Sequence, residues 1–177
     1  MKVRKAVVFC SSSDRIDPKY NEAAREVVRA LHAYGWGLVS GGSYRGTMGV
    51  VAAEMERLGG EHAGVMPRFL KGWEYPRLTE LRWVDSMSER KMAMREGTDA
   101  AIALPGGIGT LDELIETHVL AKLGRYGGKI LVLNLDGFFE PFRALLDHYV
   151  RTGMLDPGDR DLVVFAPTPA AMAEYFR

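Results

Sequence analysis

Features that mark secreted, disulfide-bonded or nucleic-acid-binding proteins are scarce in this 177-residue chain. It has one cysteine, Cys10, so no internal disulfide can form, which fits a reducing compartment. Cys10 ends an apolar run, which favours a buried structural thiol over a nucleophile. Lys+Arg and Asp+Glu both total 23, so no overall basic field points to nucleic acid or an anionic membrane surface.

Long hydrophobic runs are missing as well. Lys2, Arg4 and Lys5 are followed only by the apolar run 6–10, which is too short for the core of a signal peptide. No segment is long enough to span a membrane, and we find no repeat, low-complexity tract or linker. We therefore expect a cytoplasmic protein with no membrane or nucleic-acid partner, folded as one nucleotide-binding domain over residues 1–177. Its 47% apolar residues suffice for a full core.

Short apolar segments alternate with segments of helical periodicity along the chain. The segments that read as strands are 5–10, 36–40, 63–66, 81–84, 100–104, 129–135 and 162–165. Strands that are apolar on both faces are typical of parallel sheets covered by helices on both sides. The sequence thus predicts an α/β fold, a single doubly wound (Rossmann-like) parallel sheet of about seven strands with helices on both faces.

Three helix starts carry capping signals. Asp17 precedes Pro18, Ser86 and Glu89 have the spacing of a capping box, and Thr168 precedes a proline before a short C-terminal helix. Segment 69–76 shows no period and is predicted to be a surface loop.

The most informative stretch is LPGGIGTLDELIE, residues 104–116. A strand stops there in a proline-glycine break, and Gly109 and Thr110 are predicted to open a helix that carries three acids. Free backbone N–H groups at the positive end of a helix attract anions such as phosphate. A site that only holds phosphate does not need carboxylates one turn away, so we predict an enzyme acting on a phosphorylated small molecule.

Ligands in doubly wound sheets bind at the carboxyl ends of the strands. We expect the loops 10–14, 41–47 and 105–110 to meet there. Gly107 and Gly109 would let the backbone approach the phosphate, although a plain strand–helix turn gives the same pattern.

Glu113 is the candidate carboxylate for stabilising a sugar cation or orienting water. Thr110 and Glu113 also have the spacing of a capping box, so Glu113 could instead hold the start of the helix. Glu116 shares a helix face with Glu113 and with Asp112, and could support Glu113 or bind ribose hydroxyls. Solvated helix surface is the default expectation for Asp112.

Arg90 lies on a stripe with Met87 and Met94, at spacings of three and four residues. An arginine on an apolar stripe needs a partner, which a phosphate or a leaving base would supply. The alternative is a solvated side chain that extends past the apolar surface. The spacing of the four histidines suggests no metal site.

Three motifs together resemble one known family. GGSYRGTMG (41–49), SERK (88–91) and PGGIGTLDE (105–113) are similar to the Lonely Guy family of cytokinin riboside 5′-monophosphate phosphoribohydrolases, whose older members were labelled lysine decarboxylases. FCSSS (9–13) and LNLDGFF (133–139) extend the resemblance over nearly the whole chain.

The resemblance implies hydrolysis of the N-glycosidic bond of a purine nucleoside 5′-monophosphate, giving the free base and ribose 5-phosphate. Adenosine monophosphate (AMP) or its N6-modified forms would be the substrate, without a cofactor, in a homodimer whose partner helps close the pocket. It implies catalysis by Arg90 and Glu113. It implies substrate binding by Gly42, Glu74, Lys91, Gly107, Ile108, Gly109, Thr110, Asp112 and Glu116.

Several positions depart from the family pattern. Ser43 and Thr47 replace a glycine and a leucine, and Val119 and Leu120 stand where a Thr-Trp pair is common. These positions line or support the base pocket in the family, so the preferred purine is left open.

Two other functions compete with hydrolysis. A non-catalytic nucleotide or molybdenum-cofactor carrier on the same fold would need the anion site but not Arg90 and Glu113. A nicotinamide dinucleotide enzyme is disfavoured because its glycine-rich turn should follow the first strand, where this chain has serines.

Overall fold

The structure, a computed structural model, describes residues 3–177, so Lys2 lies outside it. One parallel sheet is formed by β1 (Lys5–Phe9), β2 (Gly37–Ser40), β3 (His62–Pro67), β4 (Glu80–Val84), β5 (Ala100–Ala103), β6 (Lys129–Leu133) and β7 (Val163–Ala166). The strand order is β4-β3-β2-β1-β5-β6-β7, which confirms the predicted seven-stranded parallel sheet.

The helices alternate with most of these strands. They are α1 (Pro18–Ala33), α2 (Gly46–Arg57), α3 (Met87–Arg95), α4 (Ile108–Lys122), α5 (Glu140–Arg151), α6 (Pro157–Arg160) and α7 (Pro169–Ala173). Short 3₁₀ turns occupy Arg68–Leu70, Leu135–Gly137 and Glu174–Phe176.

Helices cover both faces of the sheet, as predicted. Successive side chains of a strand point to opposite faces. In β1, Ala6 and Val8 therefore pack with α1, α2 and α7, whereas Val7 and Phe9 pack with α3. A third apolar cluster, on the α3 side of the sheet, joins β5, β6 and β7 to α4 and α5 through residues such as Leu114. The core is therefore two apolar layers on either side of one buried sheet.

The predicted caps of α1, α3 and α7 are confirmed. The Asp17 carboxylate accepts a hydrogen bond from Lys19 N at 3.0 Å, and the Ser86 hydroxyl accepts one from Glu89 N at 3.1 Å. The Glu89 carboxylate accepts a hydrogen bond from Asp85 N, which lies one residue before the N-cap. Thr168 accepts from Ala171 N at 3.1 Å.

The connection between β3 and β4 agrees with the predicted loop over 69–76, because it consists of the 3₁₀ turn Arg68–Leu70 and irregular backbone without an α-helix. One later connection differs from the prediction. The four-residue helix α6 was not predicted, since it is too short to display a period.

The strand order creates a crevice beside β1. The chain leaves β1 toward β2, β3 and β4 on one side, and returns through α3 to β5 on the other side. The loops that follow β1 and β5 therefore diverge at the carboxyl edge of the sheet. In doubly wound folds this position is where ligands bind.

Candidate active site

A pocket of about 430 Å³ occupies this crevice. The three predicted loops meet there and contribute Cys10, Ser11, Ser12, Ser13, Gly41, Ser43, Gly107, Ile108, Gly109 and Thr110. The remaining walls are apolar side chains together with Arg90, Asp112 and Glu113. The expectation that these loops lie together is confirmed.

Helix α4 begins at Ile108, one residue earlier than predicted. Gly107 is its N-cap and has no side chain to satisfy the first N–H groups. Thr110 is therefore the third helical residue and is only 3% exposed. Its Oγ1 is the one buried side-chain oxygen or nitrogen without a hydrogen-bond partner in residues 3–177. The start of α4 thus presents unpaired donors to the pocket, as an anion site requires.

The capping-box alternative for Glu113 is wrong. A capping box needs its hydroxyl at the N-cap, but Thr110 lies within the first turn and Glu113 three residues further on. The glycine break, rather than Thr110, ends the extended segment.

Glu113 presents a carboxyl group that the protein leaves unpaired. It is half-buried, and its carboxylate has no hydrogen-bond or ion-pair partner within residues 3–177. Burial raises its pKa to about 7, against the opposing charge of Arg90 and with help from Asp112. At neutral pH this group can hold or release a proton. A carboxyl with that property is suited to acid–base or cation-stabilising chemistry.

Arg90 is buried and fixed by backbone carbonyls. Its Nε donates to Val65 O at 3.0 Å and its Nη2 to Gly41 O at 2.8 Å. Burial lowers its pKa, but a guanidinium stays protonated in proteins. The solvated alternative for Arg90 is therefore wrong. Two of its five N–H donors are used, and the others have no partner among the described residues.

Gly41 makes this placement of Arg90 possible, which the sequence did not reveal. A β-carbon at Gly41 would lie 2.1 Å from Arg90 Nη2 and 2.9 Å from Met48 Sδ. Cys10, in the same wall, is buried as predicted, and burial raises the pKa of its thiol.

Lys91 and Glu116 form an ion-pair cluster beside the pocket. Lys91 Nζ lies 3.0 Å from carboxylate oxygens of both Asp112 and Glu116, and Arg95 Nη1 lies 3.1 Å from Glu116 Oε2. Of these four residues, only Asp112 lines the pocket. Arg95, which is buried, was not singled out in the sequence.

Glu74 and Gly42 are not among the residues that line the pocket. Glu74 Oε2 accepts a hydrogen bond from Gly72 N at 2.6 Å, and its backbone pairs with Ser43 in an isolated bridge. Gly42 has φ +75°, and a β-carbon there would lie 3.1 Å from Gly64 Cα. Their neighbours Trp73, Gly41 and Ser43 line the pocket instead.

Part of the pocket wall is apolar and was not predicted from the sequence. Leu70, Trp73 and Met48 contribute to it, and the Arg45 guanidinium lies 4.6 Å from the centre of the Trp73 ring. Leu70 and Trp73 lie on an irregular connection, where no periodicity could have signalled their direction.

The positions that depart from the family pattern are spread out. Ser43 lines the pocket, whereas the buried Thr47 donates to Asn21 Oδ1 at 3.0 Å. Val119 is exposed on α4, and neither it nor Leu120 lines the pocket formed by this one chain.

Within residues 3–177, no three His, Cys, Asp or Glu side chains group closely enough to hold a metal ion. No helix in this part of the chain combines the length and apolarity needed to cross a membrane.

Known proteins resemble this chain in sequence and in fold. The family described as possible lysine decarboxylase matches residues 48–176. The probable cytokinin riboside 5′-monophosphate phosphoribohydrolase LOGL2 of Oryza sativa subsp. japonica is 39% identical over 98% of this chain and 72% of its own length. The phosphoribohydrolase LOG3 of Arabidopsis thaliana, of the same named activity, is 38% identical over 94% of this chain and 79% of its own.

Among solved structures, the molybdenum cofactor binding protein of Rippkaea orientalis superposes with a TM-score of 0.75 at 19% identity, covering 99% of this chain and 96% of that protein. The Moco carrier protein of Chlamydomonas reinhardtii gives a TM-score of 0.73 at 19% identity, covering 98% and 95%. At these identities the likeness shows a shared fold.

Proposed function

This chain belongs to the family described as possible lysine decarboxylase, together with relatives named cytokinin riboside 5′-monophosphate phosphoribohydrolases, and from that premise we propose its reaction. It is an N-glycosyl hydrolase that cleaves a purine nucleoside 5′-monophosphate into the free base and ribose 5-phosphate. The observation that carries the proposal is that two groups line one pocket at the start of α4: a Glu113 carboxyl without a hydrogen-bond partner among residues 3–177, and a buried Arg90 that backbone carbonyls hold in place.

The 5′-phosphate is assigned to the first turn of α4. The backbone N–H groups after Gly107 point into the pocket from the positive end of a 15-residue helix. The buried Thr110 hydroxyl, unpaired among residues 3–177, supplies one more donor. A hydroxyl buried without a partner costs about 1–3 kcal/mol, which a phosphate oxygen would recover. Gly107, Ile108, Gly109 and Thr110 are thus the proposed phosphate ligands.

Glu113 and Arg90 are assigned to the reacting bond. As the bond between the purine nitrogen and C1′ lengthens, positive charge grows on the ribose, and the Glu113 carboxylate stabilises it. A water oxygen then bonds to C1′, and Glu113 takes up a proton from that water. The bonding electrons leave with the purine, which finally gains the proton that Glu113 took from the water, so that the carboxylate is regenerated. The free N–H donors of Arg90 stabilise the charge that develops on the departing base.

The lysine nearest to these groups is unsuited to Schiff-base chemistry. Such a lysine needs a lowered pKa. Burial acts to lower the pKa of Lys91, but its hydrogen bonds to Asp112 and Glu116 outweigh that effect and raise it. The site therefore favours glycosidic hydrolysis over the decarboxylation in the family description.

AMP or an N6-modified AMP is the proposed substrate. The wall formed by Met48, Leu70 and Trp73 is apolar and fits the flat face of a purine or a substituent on it. Asp112, which lines the pocket, and Glu74 and Gly42, whose neighbours line it, remain weaker candidates for contacts with the substrate.

We further propose a homodimer in the cytoplasm. Exposed apolar side chains follow one another along α4 at intervals of three and four residues, which places them on one face. They are Ile108, Leu111, Ile115, Val119 and Leu123, with Ile108 87% exposed. Ile108 also lines the pocket, so a second copy packed on this face would help to close it. The cytoplasm is proposed from the single buried thiol of Cys10.

The test is incubation with AMP followed by quantification of adenine and ribose 5-phosphate. We expect the two products in equal amounts. Glu113→Gln keeps the size of the side chain and should lower kcat by about 100-fold or more. Glu54→Gln, a carboxylate on the opposite side of the sheet, serves as the matched control. Tight nucleotide binding without adenine release would indicate a carrier instead. Full activity in Glu113→Gln would refute the catalytic assignment.

A further inference from the structure

Three cations on α3 lie near Glu113, yet its carboxylate pairs with none of them. Arg90, Lys91 and Arg95 all act electrostatically on Glu113 and oppose the rise in its pKa. Two of them already have acidic partners on α4. Lys91 Nζ lies 3.0 Å from both Asp112 and Glu116, and Arg95 Nη1 lies 3.1 Å from Glu116. Arg90 is held by the carbonyls of Gly41 and Val65.

We propose that Asp112 and Glu116 are positioning residues that hold Lys91 and Arg95 away from Glu113 and so keep its carboxylate free for the substrate. The proposal rests on the proposed function, in which Glu113 faces the ribose. It gives Lys91 and Glu116 a different role from the direct substrate contacts that the family resemblance implies. Both lie outside the pocket wall, and each is engaged by an oppositely charged partner.

The strength of the cluster follows from its burial. The side chain of Arg95 is 7% exposed and that of Lys91 is 15% exposed, so their charges are poorly screened by water. Burial acts to raise the pKa of Glu116, but the hydrogen bonds from Arg95 and Lys91 outweigh it and lower that pKa. Glu116 is therefore ionised at neutral pH and remains the shared partner of both cations.

The charged and titratable groups around Glu113 come from three elements of the described chain. The loop after β1 presents the Cys10 thiol, which is neutral because burial raises its pKa. Helix α3 presents the three cations, and α4 presents Asp112 and Glu116. If Glu116 loses its charge, Arg95 loses its acidic partner among residues 3–177 and Lys91 keeps only Asp112, so the positive charge of both acts more strongly on Glu113. An opposite charge within about 4–6 Å lowers a carboxyl pKa by about 1–3 pH units.

The experiment measures the titration of Glu113 directly. ¹³C NMR of the side-chain carboxyls in the ligand-free protein, assigned by the signal lost in Glu113→Gln, gives its pKa. We expect Glu116→Gln to lower that pKa by about one pH unit or more. Asp112→Asn, at an exposed position, should act in the same direction, because it leaves Lys91 with Glu116 alone and removes an anion that raises the pKa of Glu113. The acid limb of the pH profile of kcat/KM for AMP should move to lower pH together with the Glu113 pKa.

Rescue distinguishes positioning from structural damage. Adding Arg95→Met to Glu116→Gln removes the cation that loses its acidic partner in that variant, and should return the Glu113 pKa toward its original value. The control Glu54→Gln also removes a carboxylate shared by two arginines, on the opposite side of the sheet, and should leave the Glu113 titration unchanged.

An unchanged Glu113 pKa in both Glu116→Gln and Asp112→Asn would overturn the proposal. A rise in KM alone, with the acid limb in place, would make Glu116 a substrate ligand and would overturn it too. If the unmodified protein releases no adenine from AMP, the proposed function fails, while the NMR titration still decides the positioning role.

Discussion

Replacing Glu113 by glutamine should make the protein more stable at alkaline pH. The pKa of this carboxyl is 4.5 in its ordinary state and about 7 in the folded protein, because burial disfavours its charge. A group whose folded pKa is raised stabilises the fold fully below pH 4.5, and that stability is lost as the pH rises through 7. At about 1.4 kcal/mol for each pH unit, the ionised carboxylate costs the folded state about 3 kcal/mol at pH 8.

Glu113→Gln removes this cost because glutamine carries no charge. We expect its advantage over the unmodified protein to be about 2–3 kcal/mol at pH 8 and to vanish near pH 4.5. Urea unfolding at pH 5, 6, 7 and 8, at one protein concentration, gives the free energy of unfolding. In a chain of this size the same change would raise Tm by roughly 2–4 °C for each kcal/mol.

Glu54→Gln supplies a control of opposite sign. Hydrogen bonds from Arg57 and Arg29 lower the pKa of Glu54 to about 2, so its charge stabilises the fold and its removal should destabilise the protein at pH 8. A Glu113→Gln variant that is less stable at pH 8, or whose advantage does not depend on pH, would refute the description of Glu113 as a desolvated, unpaired carboxylate.

Three further predictions each concern a single residue. Thr110→Val should raise the KM for AMP roughly 10-fold, because one donor to the phosphate is lost. It should not reduce the free energy of unfolding, because the Thr110 hydroxyl has no hydrogen-bond partner among the described residues. Gly41→Ala should lower kcat about 100-fold, because the new β-carbon would displace the guanidinium of Arg90; adenine release measures it. Burial lowers the pKa of His62 to about 4, so His62 by itself should reduce the free energy of unfolding by about 3 kcal/mol as the pH falls from 6.5 to 4, against the gain that Glu113 gives over the same range. Urea unfolding of His62→Gln should lack this contribution.

Each of these has a result that would contradict it. Thr110→Ser keeps the hydroxyl and should restore the KM, so an equal loss in both variants would rule out a phosphate contact. Normal kcat in a folded Gly41→Ala variant would mean that the position of Arg90 is not critical. The same acid sensitivity in His62→Gln as in the unmodified protein would show that His62 is not responsible.

The sequence predicted the layers of the fold and the loops of the site because both depend on local patterns. Apolar runs such as 100–104 marked the strands, and a parallel order brings loops at the carboxyl ends to one edge. The start of α4 was misplaced because a threonine three residues before a glutamate fits a capping box equally well. Only the backbone after Gly107 separates the two arrangements.

Contacts between elements distant in the sequence were beyond prediction. The pairing of Lys91 with Asp112 and Glu116 depends on how α3 packs beside α4. The position of Arg90 depends on one carbonyl within β3 and one directly after β2. Trp73 lies in a loop without a period, so nothing local indicated that it lines the pocket.

The most direct measurement is a crystal structure of Glu113→Gln with AMP bound, since this variant should bind the nucleotide and cleave it slowly. We predict the phosphate against the first turn of α4, within hydrogen-bond distance of Thr110 Oγ1, and the ribose C1′ facing the substituted side chain. A nucleotide bound at another edge of the sheet, or a side chain at this position turned away from the ribose, would contradict the assignment.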